Sequence, residues 1–282
     1  MIDGLLHSAA PLIMAGLGAL LTDLSGALGI FIEGFMITGA FFSWVFAGWT
    51  GSVFWGTLIS ALLAAIVGWA LARFTALSCA NPFIVGLALN LAASGITLSL
   101  SAAWFGTKGV LFNPGFEISG QRYFSYLAFA SAIIIAIALN RTVGGLRLRA
   151  SGLSPDAASE RGIRPTLYRE AAWALAAFLA ALAGAALTFR VGVYAPGGIA
   201  GRGWIALAAV YLGFRKVWGV VIAAIVFSFA ERLGFGIQSL GGLSTTALLG
   251  LPSALALLLY FVSMFLKRRE KEKSAGEKGM QT

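Results

Sequence analysis

Glu33 stands in the run Gly26-Ala27-Leu28-Gly29-Ile30-Phe31-Ile32-Glu33-Gly34-Phe35-Met36, a carboxyl group between two long apolar stretches. A lone carboxylate in hydrocarbon costs at least about 3 kcal/mol, so such a residue normally faces a protein interior or a watery path. Two readings are open. Either Glu33 lines a route for a polar solute, or it lies near a membrane face or caps a helix break flanked by Gly29 and Gly34. Asp23 and Ser25 close by indicate irregular backbone, which a membrane tolerates only where it is buried in protein or lines a cavity. Both readings put this element near the centre of the structure. Asn90, in Val85-Gly86-Leu87-Ala88-Leu89-Asn90-Leu91, is a second polar group inside an apolar run. Its amide either bonds a polar solute or bridges to a neighbouring helix.

Other chemistry lacks material. His7 is the sole histidine and Cys79 the sole cysteine, so neither a His-based acid–base site, a metal cluster nor a disulfide framework can be assembled. No Gly-x-x-x-x-Gly-Lys-Ser/Thr run occurs, so the chain carries no nucleotide-hydrolysing motif of its own. No catalytic residue, cofactor or metal is expected.

The elements that hold these residues follow from composition. Of 282 residues, 11% are charged and 59% hydrophobic, whereas a soluble domain carries about a quarter charged; the mean hydropathy is +0.88. The chain has too little polar surface for a water-soluble globule. A bilayer core about 30 Å thick needs roughly 20 helical residues. Gly34 to Ala72 is 39 residues without a charge, enough for two crossings. Their break falls at Gly48-Trp49-Thr50-Gly51-Ser52, where turn residues meet Trp44, Trp49 and Trp55 at a membrane–water interface. After the turn Ser78-Cys79-Ala80-Asn81-Pro82 comes a crossing over 83–103, then one over 123–140 and one over 171–189. Trp204 to Phe214 is short for a crossing; Val217 to Ala230 comes next, and a last helix starts near Thr245. With Leu5 to Leu21 first, the reading is an all-α polytopic bundle of eight to nine membrane segments, with broken helices near the centre. The start lacks the basic region and cleavage site of a signal peptide and is read as a retained membrane segment.

Charge placement orients it. The net charge is +9, with six arginines between 141 and 170 (Arg141, Arg147, Arg149, Arg161, Arg164, Arg169) and six basic residues after Leu266. Lys and Arg beside apolar runs mark cytoplasmic loops, and neither stretch makes the basic face that nucleic acid would need. The 141–170 loop and the tail are therefore expected inside, with 104–123 and 190–202 outside. Nine segments place the N-terminus outside and the C-terminus inside. The expected organisation is a membrane domain over 1–266 and a charged, disordered tail over 267–282.

The 141–170 loop contains more than a connector needs. Ser154 suits a helix N-cap, Pro155 the first helical position, Asp156 the positive end of the dipole and Gly162 the C-terminal stop. A capped helix of about two turns, with Ala157 in its first turn, fits docking into a soluble partner.

Taken together, Pro11 to Leu21, the Gly26–Met36 element, Asn81 to Leu91, Arg147 to Gly162 and Ala200 to Val210 resemble the permease subunits of bacterial ABC importers. The group is the simple-sugar, nucleoside and branched-chain amino-acid one, and the nucleoside-type members are most similar. The resemblance implies that Ser154–Gly162 is the coupling helix, seated in a groove of a cytoplasmic ABC ATPase. It also implies a second permease, identical or different, an extracytoplasmic solute-binding protein and location in the bacterial inner membrane. Glu33 and Asn90 become candidates for the translocation path of a small polar solute. The alternative, a stand-alone secondary transporter or channel, would carry more buried ionisable residues for ion coupling and leaves the capped helix unexplained.

Overall fold

In the computed structural model, residues 2–113, 121–199 and 201–239 are described. The chain divides into two compact units, Met1–Ile225 and Val226–Thr282. The second is described only as the later part of one helix, and the helices that build the core belong to the first. The last helix expected near Thr245 and the charged tail lie outside the described residues.

The fold is helical. The helices are α1 (Ile2–Leu24), α2 (Ile32–Thr50), α3 (Val53–Ser78), α4 (Pro82–Phe105), α5 (Gln121–Arg141), α6 (Val143–Leu153), α7 (Pro155–Glu160), α8 (Pro165–Val191), α9 (Arg202–Leu212) and α10 (Val217–Ser239). Among the described residues, six stretches are long and apolar enough to cross a membrane: Leu6–Leu24, α2, α3, α4, Tyr123–Arg141 and α8. The expected interfacial turn between α2 and α3 is realised at Gly51 and Ser52. At the start of α4, Asn81 Oδ1 accepts from Phe83 N at 2.9 Å and Pro82 occupies the first turn, the arrangement that satisfies orphan donors at a helix start.

The core is built on α8. Its apolar stretch is 83% buried, against 22% for α4, which borders the outside of the bundle. Small residues make that burial possible, because helices in lipid associate by close packing rather than by expelling water. A Cβ on Gly184 would lie 2.0 Å from the Met36 carbonyl oxygen, and one on Gly39 would lie 2.3 Å from the Ala181 Cα. The α2 and α8 backbones are therefore in direct contact. Phe31 fills the space beside Trp173, with ring centroids 4.5 Å apart.

Two faces can be told apart. A two-stranded antiparallel ribbon pairs β1 (Leu111–Phe112) with β2 (Val193–Tyr194), so the loops after α4 and after α8 share one face. On the opposite face Arg73 Nη1 meets Glu170 Oε1 at 3.1 Å, near the end of α3 and the start of α8. There too the end of α1 touches α6, through Gly26 and Gly152. The charge pattern of the sequence sets these two groups of loops on opposite sides, and the helix directions agree.

Candidate functional site: a junction of two interrupted helices

α1 and α2 are separated by residues 25–31, and these are not a surface loop. Ser25, Ala27, Ile30 and Phe31 are all buried. The segment enters the bundle from the α6 face, and α2 begins only at Ile32. After the ribbon, residues 195–199 lead to a buried Ile199 and α9 begins at Arg202. The eleven residues of α9 span about 16 Å, roughly half the hydrocarbon core. The two interrupted helices start at the same place. A Cβ on Gly203 would sit 2.5 Å from Glu33 Cβ and 2.7 Å from Glu33 Cα, so glycine is what lets α9 begin against α2.

An interrupted helix inside a membrane leaves backbone groups without their helical partners, and these must be satisfied by protein. Two side chains do so here. Glu33 Oε1 accepts from Gly201 N at 2.9 Å, across 168 residues of sequence. This carboxyl group thus caps the start of α9, where the helix dipole favours an acceptor. Its second oxygen, Oε2, is buried without a hydrogen-bond partner among the described residues. Asn90 uses both ends of its amide: Oδ1 accepts from Gly34 N at 2.7 Å and Nδ2 donates to the Ile30 carbonyl at 2.8 Å. It bridges the break at the start of α2 from the neighbouring helix α4. Asn90 is the ninth residue of α4, so the junction lies about 12 Å along that helix from its Pro82 end. Two helix N-termini, one spare carboxyl oxygen and a polar amide thus share one interior location. Discontinuous helices with inward N-termini are how membrane transporters form polar solute sites.

The candidate coupling residues lie together on the other side of α6. α7 is a helix of six residues, Pro155–Glu160. Ser154 sits at the N-cap with extended backbone, φ −150° and ψ 92°, yet its side chain makes no capping bond; its carbonyl instead accepts from Ala158 N at 3.0 Å. Pro155 occupies the first turn with Asp156. The helix closes through Ile163 N to the Ala158 carbonyl at 3.0 Å and Gly162 N to the Ser159 carbonyl at 2.9 Å. Gly162 has φ +75°. That is the Schellman ending, which puts a left-handed residue where glycine is least strained. Ala158 is buried against the bundle, whereas Pro155, Asp156, Ala157, Ser159 and Glu160 are exposed. α7 therefore rests on one residue and presents the rest outward.

Three contacts have no counterpart in the sequence pattern. Gly201 and Gly203 are partners of Glu33. Asp23, in sequence only a sign of irregular backbone, pairs with Arg215 Nε at 2.5 Å and accepts from Tyr211 Oη at 3.3 Å, fixing the far end of α9 to α1. Gly152 lies on Gly26. The available signal was the Gly201-Arg202-Gly203 spacing before a run too short to cross.

Comparison with known proteins agrees with this architecture. A family model described as a branched-chain amino acid transport system permease component matches residues 1–267. The guanosine ABC transporter permease protein NupQ of Bacillus subtilis is 30% identical over 250 residues, covering 80% of this chain and 78% of that protein. The nucleoside ABC transporter permease protein NupC of Lactococcus lactis is 28% identical over 260 residues, covering 82% and 81%. No solved structure matches. The chain belongs to this family of permease components, as a multi-pass membrane permease of ABC transport systems and not as their ATPase.

Proposed function

We propose that the chain forms, with a second permease, the membrane path of an ATP-driven importer for a small polar solute of the nucleoside or simple-sugar class. A binding protein outside the membrane delivers the solute, and ATPase subunits in the cytoplasm drive the cycle through α7. The relatives' names support the solute class. The junction of α2 and α9 is the proposed solute-handling region, with Glu33 and Asn90 facing the path. The membrane is the bacterial inner membrane, with α6, α7 and the C-terminus in the cytoplasm. An impermeant thiol reagent on a Cys79→Ser background should label Lys108→Cys in intact cells and leave Arg149→Cys unlabelled; the reverse pattern refutes this orientation.

The observation that carries the reading is the pose of α7, closed at Gly162, anchored by buried Ala158 and exposed elsewhere. Asp156 at its start is worth about 0.3–1 kcal/mol to the helix, too little to govern the fold, so docking can be tested separately from folding. Ala157→Arg places a long side chain on the exposed surface. The variant should insert at wild-type level, yet lose co-purification of the ATPase and lose uptake together. Normal ATPase retention with normal uptake would show that α7 is not the docking element.

A further inference from the structure

We infer that Gly152 and Gly26 form the joint through which movement of α7 reaches the junction at Glu33, an inference that rests on the docking role proposed for α7. Helix α6 links the two: its start is fastened to α5 and its end runs directly into α7. A Cβ on Gly145 would lie 2.5 Å from the Ala138 carbonyl oxygen, so the start of α6 lies on the last turns of α5. Arg149 donates from Nη2 to the Leu139 carbonyl. At its other end Ser154 is at once the C-cap of α6 and the N-cap of α7, so the two helices join with no linker between them. A displacement of α7 therefore moves α6 with it.

The last turn of α6 bears on the segment that leads to the junction. A Cβ on Gly152 would lie 2.1 Å from the Leu24 carbonyl oxygen and 2.8 Å from Gly26 N. Gly26 returns the contact: its φ is +83°, and a Cβ there would lie 3.0 Å from Gly152 Cα. The two backbones touch with no side chain between them to yield. Beyond Gly26 the segment is packed rather than slack. Ala27 N donates to the Thr22 carbonyl at 3.2 Å, and a Cβ on Gly29 would meet Thr22 Oγ1 at 2.5 Å. Close-packed interiors pass displacement on instead of absorbing it, and Glu33 is seven residues after Gly26. The same stretch of α1 holds α9 through Asp23, Arg215 and Tyr211, while Glu33 holds the start of α9. One push at Gly152 thus acts on both interrupted helices. Gly152 and Gly26 are positioning residues and touch no solute.

The test uses the complete transporter in proteoliposomes with its ATPase and binding protein. Unlike Gly184, which is buried between two helices, Gly152 is half-buried and faces the exposed Gly26 turn, which can shift to admit a methyl group. Gly152→Ala that inserts and runs monodisperse at wild-type level should keep the ATPase bound and hydrolysing within about twofold of wild type, while uptake falls at least tenfold. ATP consumed per solute imported then rises by a similar factor. Arg215→Gln, at an exposed turn position, loosens the far end of α9 from Asp23 without filling any buried space and should raise the same ratio several-fold. Wild-type uptake per ATP in both variants overturns the inference, and so does loss of ATPase binding in Gly152→Ala, which would make Gly152 part of the docking surface. The two readings fail separately. Ala157→Arg with its ATPase retained refutes docking by α7, whereas full coupling in both Gly152→Ala and Arg215→Gln refutes only the joint.

Discussion

Along α8 no charged side chain occurs between Ala171 and Phe189, and the helix runs unbroken for 27 residues. At the meeting of α2 and α9 both helices are interrupted, and a carboxyl group and an amide hold the broken ends. Both regions are interior, but they are specified differently. α8 is fixed by volume: alanines and glycines set how closely α2 and α3 approach, and its backbone satisfies itself. The junction is fixed by hydrogen bonds, because its backbone cannot satisfy itself. A membrane protein gains nothing from an interrupted helix that a continuous one would not supply with less polar material. The interrupted junction is what the proposed function assigns to solute, and α8 is what holds the bundle.

The contrast can be broken from either side. The largest expected effect is Gly184→Val on α8. The added Cβ would fall 2.0 Å from a backbone carbonyl oxygen, which cannot turn aside as a side chain could. Overpacking costs about 1–3 kcal/mol and more where backbone must move; the expected result is little monodisperse protein on size exclusion in detergent. Next comes Asn90→Leu, which leaves the Ile30 carbonyl and the Gly34 N–H buried without partners, at about 1–3 kcal/mol for each. Asn90→Asp keeps the acceptor for Gly34 N but turns a carboxylate oxygen toward the Ile30 carbonyl, acceptor against acceptor, and adds a second acid beside Glu33, so it should melt no higher than Asn90→Leu. A Leu variant that melts with wild type would remove the hydrogen-bond account of the junction. A tolerated Gly184→Val would remove the volume account of α8.

Much of the frame was legible in the sequence because charge and turn chemistry are local. The break at Gly48–Ser52 became the turn at Gly51, and Ser78–Pro82 became the turn into α4. The uncharged 171–189 run became α8, although that helix extends from Pro165 to Val191. The excess is physical: charged residues such as Arg169 and Glu170 end the apolar stretch but continue the helix, so charges mark the membrane edge and not the helix end. Gly162 was legible as a stop for the same local reason. Ser154 was legible as an N-cap position but not as a side chain that leaves the capping bond unmade. The partners of Glu33 and Asn90 were not legible. Gly201 is 168 residues from Glu33, and a glycine that admits another backbone looks in sequence like one that serves a turn. Only three-dimensional packing separates Gly203 and Gly152 from the glycines of ordinary loops.

Glu33→Gln bears most directly on the account. Glutamine keeps an oxygen for Gly201 N and nearly the same volume, so the junction should lose no more than about 0.3–1 kcal/mol of dipole interaction. The complex should assemble in the membrane at wild-type level and melt close to wild type. In proteoliposomes with ATPase and binding protein, its uptake should fall at least tenfold under the proposal that the acid group handles solute. Wild-type uptake by this variant would contradict the account and reduce Glu33 to a cap that holds α9 in place.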